Sequence, residues 1–435
     1  MNGSNTITNN NQPLDSGHKQ TRQRYFIAFI LFITLLVAFI DRINVSVLIV
    51  DPQFLNAMGI SGKPLQQGLL MTFFLIAYGI SNAVLGPVGD YIGPRKAMCL
   101  SLAMWGISMI LGGLATAFGV LLLTRVVLGL GEGLHWPMQS KFVKNWFPPQ
   151  ERAKANSIWI LGLFIGPAIG TPFFTWLLSR TPWKTSFYLL AVVSLIPLLL
   201  VWFFTTDHPS QSKKVNKEEL DWIETGLKAE EAEENKQGNV TIKTSIKSFI
   251  KDYHFWLVTI YYTCQCCIWW GTMTWLPSYL KTARGFSWAS MGAWSSSPYI
   301  LGAILLIISG RISDKVGRRA PFPLLAMVIV AICIFGAAYA ESNIIAAILL
   351  TIAIGSLAIA STAIWSLLQQ IVPGKAVGAG AGITNGVANG GSALAPSIMG
   401  YFIALSGSYV TGLLFLVIMA VIGGICVGIL TLQKY

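Results

Sequence analysis

The chain of 435 residues is 54% hydrophobic and only 11% charged, with a formal net charge of +12. Soluble domains carry about 25% charged residues, and a chain this long and apolar cannot hide its hydrophobic surface in one water-soluble core, which excludes a soluble enzyme. The basic surplus sits in short segments between apolar runs, not in a compact basic domain, which excludes a nucleic-acid-binding protein and points to membrane orientation.

Residues 1–24 are polar and lack the apolar core of a signal peptide, and the run that follows is too long for one, so a retained first span is expected. A span needs roughly 20 mostly apolar residues. Twelve such runs are predicted, at 25–50, 65–88, 97–117, 120–146, 153–178, 185–204, 254–280, 291–309, 321–340, 344–371, 377–405 and 410–432. They divide the chain into an N-terminal tail (1–24), a six-helix bundle (25–204), a linker (205–253), a second six-helix bundle (254–432) and a C-terminal end (433–435). The expected class is an all-α membrane protein, embedded in lipid, of twelve transmembrane helices in two pseudo-symmetric bundles. Prolines and glycines interrupt several spans, as in membrane helices that line a cavity.

The first span carries Asp41 and Arg42, and the fourth carries Arg125, Glu132 and His135. Ionisable groups deep in a span are costly and mark function. Arg125 and Glu132 are seven residues apart, two helical turns, and so share one face, with His135 near it. Asp41 and Arg42 are adjacent and point about 100° apart, so one can face a cavity and the other a neighbouring helix. Arg42 suits an anion anchor, because guanidinium matches a carboxylate. Asp41 and Glu132 suit proton carriers, with Arg125 tuning one of them. The second half has no deep charged group; its tenth span instead carries Ser361, Thr362, Trp365, Ser366, Gln369 and Gln370, and its eleventh Asn385 and Asn389, four apart. These neutral groups suit polyol hydroxyls or helix-to-helix hydrogen bonds. Tyr262, Trp269, Trp270 and Trp275 suit either a cavity lining or an interfacial belt.

The linker is highly charged, and Asn216 followed by Glu219 resembles a capping box, which reads as a solvated segment with one short helix. The six cysteines all lie in apolar runs, and the cluster Cys264, Cys266 and Cys267 has no metal-site spacing, so packing is expected and no metal. With both termini cytoplasmic, fifteen Lys and Arg fall in the short inner segments and five in the outer loops, a positive-inside bias.

An internal repeat ties the halves together. Gly86, Asp90, Gly93 and Arg95 follow the second span, and Gly310, Asp314, Gly317 and Arg319 follow the eighth, with 224 residues separating each glycine and aspartate from its counterpart. The repeated Gly-x-x-x-Asp-x-x-Gly-x-Arg resembles the cytoplasmic loop signature of the major facilitator superfamily, which implies a gate that latches the cytoplasmic side. The fourth-span sequence from Arg125 through Glu132 to Pro137, followed by Trp146-Phe147-Pro148 and preceded by Asp41-Arg42, is similar to the anion:cation symporter branch of that superfamily. That branch holds galactonate, glucarate and hexuronate transporters, sialin and vesicular glutamate transporters.

The resemblance implies that Arg42 binds a substrate carboxylate and that Asp41 and Glu132 take up protons, with Arg125 as a partner. It also implies substrate contacts at Tyr78, Tyr262, Trp365, Ser366 and Asn385, where Tyr262 stands in place of a glutamine and Leu163 replaces another. The activity so implied is uptake of an organic anion by proton symport, driven by the proton gradient without a cofactor, by a monomer in the inner membrane. Sugar acids (aldonates, aldarates or hexuronates) are the expected substrates. Exchange of organic anions or phosphates and a non-transporting receptor are the alternatives; a nucleophile–base pair or metal motif for an enzyme is missing.

Overall fold

The computed structural model describes residues 20–85, 87–236, 249–316, 318–361, 363–372 and 376–434. The first half contains α1 (Gln23–Leu48), α2 (Pro52–Ala57), α3 (Pro64–Leu85), α4 (Val88–Ile92), α5 (Pro94–Leu114), α6 (Phe118–Trp146), α7 (Pro149–Ile160), α8 (Gly162–Leu178) and α9 (Lys184–Phe204). Helix α10 (Lys217–Lys236) joins the halves. The second half contains α11 (Tyr253–Ser278), α12 (Trp288–Val316), α13 (Pro321–Tyr339), α14 (Asn343–Ala360), α15 (Ala363–Ile371), α16 (Val377–Ser392), α17 (Ala395–Ser406) and α18 (Tyr409–Leu432).

Among the described residues, ten helical runs are long and apolar enough to cross a membrane, counting α7–α8 and α14–α15 as one crossing each. Helix α11 has the length, 26 residues, but its tryptophans and tyrosines dilute its hydropathy. The eleventh crossing is shared by α16 and α17, of 16 and 12 residues. With these two the crossings number twelve, as predicted. The predicted spans 153–178, 344–371 and 377–405 are therefore not continuous. In the last of them Pro396 has no N–H for the carbonyl four residues back, and the helix breaks at Ala393 and Leu394. Large apolar side chains face outward, as at Leu123 and Ile332, 63% and 66% exposed, the surface expected where lipid is the solvent.

Helix α6 is wedged between α3 and α5 by three glycines. A Cβ at Gly129 or Gly133 would collide with the backbone of α3, at the carbonyl oxygens of Phe74 and Tyr78 respectively. Gly131 faces α5, where the Ser101 hydroxyl donates to its carbonyl at 2.7 Å. This close approach turns the intervening Glu132 toward α1.

The two halves meet at the face opposite the termini, where α3 packs on α17 and α8 on α12. A Cβ at Gly68 would lie 2.5 Å from the Pro396 carbonyl oxygen, and one at Gly400 would lie 2.5 Å from that of Pro64. Ser397 Oγ donates to Thr72 Oγ1 at 2.7 Å across the same seam. Small residues hold this face shut, and among the described residues no ion pair crosses it. Gly68→Val is expected to prise it open: overpacking of about 1–3 kcal/mol shifts the open-to-closed ratio by roughly 5- to 150-fold. Spin labels at Lys63 and Leu405 should then move apart, and unchanged distances would refute the seam's role.

The linker helix is docked, not simply solvated. Glu219 is fully buried and accepts from Thr21 Oγ1 at 2.5 Å, the Gln23 N–H at 2.9 Å, and the Arg24 N–H and guanidinium at 3.1 and 2.9 Å. The expected capping box is half closed: Asn216 Oδ1 accepts from the Glu219 N–H at 3.1 Å, but the Asn216 N–H donates to Thr21, because Arg24 has claimed the Glu219 carboxylate. Arg152 adds a fork of 2.6 and 2.7 Å onto Glu230. Burial alone would raise the Glu219 carboxyl, but the donors from Thr21, Arg24 and Gln23 outweigh it and hold it below its usual range. Arg152 holds Glu230 low as well. Groups depressed on docking stabilise it above their free value, about 4.3 for Glu, and lose that contribution as pH falls through the depressed value. Amide protection across 217–230, measured relative to the intrinsic exchange rate at each pH, is thus expected to stay high from pH 5 to 8 and to drop below about pH 4; flat protection through that range would count against the Glu219 anchor.

Candidate functional site

A cavity of about 780 Å³ lies between the halves. Its wall includes Phe39, Arg42, Tyr78, Trp136, Tyr262, Trp269, Trp270, Trp365, Asn385 and Asn389. Lining positions such as Ser157, Ile160, Leu306 and Ile307 lie in the parts of their helices nearest the face that bears the termini. The cavity therefore runs from Arg42 toward that face, away from the closed seam.

Arg42 and Asp41 diverge as two neighbours on a helix must. Arg42 faces the cavity, and its Nε and one terminal nitrogen both meet Glu132 Oε2 at 2.6 Å. Both side chains are buried, and Glu132 Oε1 has no partner among the described residues. Four rings surround the guanidinium carbon: Phe39 at 4.5 Å, Tyr78 at 5.0 Å, Phe74 at 5.3 Å and Trp270 at 5.5 Å. Trp270 comes from the second half and stacks on Phe39 at 6.5 Å, so the anchor sits where the two bundles touch. Such rings stabilise a desolvated cation by up to about 2 kcal/mol and fix the guanidinium plane.

Asp41 points the other way, into the first bundle, where Arg125 and the Trp105 indole face it. The group is sealed: Asp41 is fully buried, and its two carboxylate oxygens, Arg125 Nε and Trp105 Nε1 close no hydrogen bond among the described residues. Arg125 lies over the Phe187 ring at 5.4 Å. The four predicted charges thus form two layers, Arg42 with Glu132 at the cavity and Asp41 with Arg125 behind.

Among the predicted contacts, Tyr78, Tyr262, Trp365, Asn385 and Asn389 line the cavity. The Tyr262 and Trp365 rings meet edge to face at 5.2 Å, and Asn389 Nδ2 donates to Asn385 O and Oδ1, both at 2.9 Å. Three residues singled out from the sequence stand elsewhere. Ser366 is half-buried and does not line the cavity; Leu357, Ser361 and Trp365 share the lining face at helical spacing, and Ser366 lies about 100° round from Trp365. His135 is buried on the α1 side of α6, 3.3 Å from Gln139 Nε2, which donates to Thr34 Oγ1 at 2.9 Å and Leu31 O at 3.1 Å. Trp275 lies at the closed seam, donating to Pro396 O at 2.9 Å. Gln265, Trp136, Phe39 and Phe164 join the wall without having been singled out. Gln265 had a usable signal, an amide in the middle of an apolar span.

Of the repeated loop motif, Asp90 pairs with Lys141 at 2.7 Å. Gly93 adopts φ +84°, and the next N–H but one, that of Arg95, donates to Asp207 Oδ1 at 2.7 Å. The Arg95 guanidinium also donates to the Trp202 carbonyl. A side chain at Gly93 would strain the turn and strike Asp207. Arg319 is half-buried, while Gly86, Gly317 and the side-chain surroundings of Gly310 and Asp314 lie outside the described residues.

Two helical bundles closing on one central, charge-bearing cavity define a multi-pass membrane transporter. The profile of the Major Facilitator Superfamily matches residues 30–396, and the chain belongs to that family. It is 28% identical over 401 residues to a probable sulfoacetate transporter, SauU, of Cupriavidus necator, covering 90% of each chain. It is 24% identical over 417 residues to a D-galactonate transporter of Escherichia coli, covering 94% of this chain and 95% of that one. In fold it matches a bacterial homologue of the human lysosomal transporter Spinster, solved in an inward-facing and occupied conformation, with a TM-score of 0.75 at 17% identity over 95% of this chain and 97% of that one.

Proposed function

We propose that the protein is a proton-coupled symporter that takes up an organic anion, a sugar acid such as an aldonate, aldarate or hexuronate, across the inner membrane, acting as a monomer with both termini in the cytoplasm. The observation that carries this reading is the pairing of Arg42, in the wall of the cavity between the halves, with Glu132 behind it in the same half, two contacts of 2.6 Å. While Glu132 is ionised it occupies Arg42. A proton on Glu132 removes that competitor and frees the guanidinium for a substrate carboxylate, so proton and anion bind together. Asp41, held against Arg125 in the layer behind, is the second proton site. Tyr78, Tyr262, Trp365 and Asn385 meet the body of the substrate, with Asn389 beside them. The charge-compensated site is then cheap to occlude, and the halves rock about it. Asp90, Arg95 and their counterparts in the second half act at the cytoplasmic gate. The sugar-acid assignment is supported by the galactonate-carrying relative and by the neutral hydrogen-bonding groups of the second half.

Purified protein in proteoliposomes should accumulate labelled galactonate against its gradient when the outside is acidic, and a protonophore should abolish the accumulation. Undiminished counterflow with no response to the proton gradient would instead establish an exchanger, and binding without flux a receptor.

A further inference from the structure

The acids named above differ in charge: aldonates and hexuronates carry one negative charge, aldarates two. We propose that the cavity selects the singly charged acid and rejects the dianion, an inference that rests on this cavity being the substrate site. Among the described residues, Arg42 is the one charged side chain in the cavity wall. Glu132 Oε2 already engages two of its nitrogens at 2.6 Å, and four rings crowd its faces. Once Glu132 takes up a proton, a guanidinium hemmed in by those rings offers one edge to the cavity, enough for one carboxylate.

No second cation reaches the substrate from the first half. Arg125 is 2% exposed and sits behind Asp41, which offsets its charge. The second half contributes neutral groups to the wall: Tyr262, Gln265, Ser361, Trp365, Asn385 and Asn389. With Asn389 Nδ2 engaged by Asn385, that pair presents one amide N–H group and one carbonyl oxygen to the cavity. A hydroxyl, which donates and accepts, satisfies both. A second carboxylate would meet a carbonyl oxygen and the negative faces of tryptophan and tyrosine rings. Unpaired and out of water, an ionised carboxylate is far costlier than a hydroxyl in the same place.

Galactonate, galactarate and the monomethyl ester of galactarate share their hydroxylated carbons and differ at one end. Calorimetric titration of the full-length protein near neutral pH should find galactonate and the monoester binding within a few-fold of each other. Galactarate should bind about 100-fold more weakly. Asn385→Arg, which adds a cation to the opposite wall, should narrow that gap. Galactarate binding as tightly as galactonate overturns the inference. So does a monoester as weak as galactarate, since size rather than charge would then discriminate. If none of the three binds, it is the sugar-acid assignment that fails, and benzoate against terephthalate reads the charge rule on its own. Equal affinity within that pair, or binding of neither member, overturns it.

Discussion

In Glu132→Gln proteoliposomes, uptake driven by an inward proton gradient is expected to lose the roughly tenfold per pH unit that one coupled proton supplies, while exchange of labelled for unlabelled substrate persists. Glu132 is the acid that touches Arg42, through one oxygen at 2.6 Å to two nitrogens. Its ionised form competes with the substrate carboxylate for the same guanidinium, and its protonated form does not. Anion and proton affinities are therefore linked, and each strengthens the other by the same factor. Glutamine keeps the shape and removes the charge, so Arg42 stays available at every pH and substrate binding loses its pH dependence. One pH unit is worth about 1.36 kcal/mol per proton, close to tenfold accumulation for each proton carried. The variant should forfeit that factor. A Glu132→Gln protein that still concentrates substrate tenfold per pH unit would show that the coupling proton rides elsewhere. The same assay on Asp41→Asn separates one proton site from two, because Asp41 contacts neither Arg42's free edge nor the cavity wall.

The charges in this chain were legible because they are anomalous: four ionisable residues in apolar spans stand out in any reading, although Arg42 alone of the four lines the cavity. The angle between Asp41 and Arg42 was readable too, but not which of them faces the cavity. That choice is made by how α1 rolls against α8, whose Gly162, Gly166 and Gly170 admit the α1 backbone and Ile43 so closely that an added Cβ would lie within 2.8–2.9 Å of them, a packing relation across helices distant in sequence. The breaks at Ser361 and Ala393 escaped for a related reason, since hydropathy continues across them and periodicity is blind to a change of phase. Ser366 came from the family resemblance, whereas the four-residue spacing of Ser361 and Trp365 places Ser361 on the lining face. The linker misled most. A run of acids reads as solvated when its partners, Arg24 and Arg152, lie 195 and 78 residues away.

Arg42→Lys should leave the fold intact and lower kcat/KM by about two orders of magnitude, roughly 2.7 kcal/mol of lost recognition. Lysine supplies the charge but not the planar fork. It cannot present two coplanar nitrogens to Glu132 or, once Glu132 is protonated, to a substrate carboxylate, and it cannot lie flat among the four rings set at 4.5–5.5 Å from the guanidinium carbon. Arg42→Ala tests a different quantity. It strands a buried carboxylate, and breaking a buried pair from one side costs about 3–5 kcal/mol unless the group takes up a proton. The alanine variant is therefore expected to melt at a clearly lower temperature at pH 8 than at pH 5, where Glu132 can be neutralised. The double variant Arg42→Ala/Glu132→Gln removes both charges, so it should recover stability and lose the pH dependence, yet remain unable to transport. Recovery of transport along with stability would mean that the pair merely holds α1 to α6. Stability without transport is what an anion anchor requires, because the guanidinium would then be needed for the passenger and not for the protein.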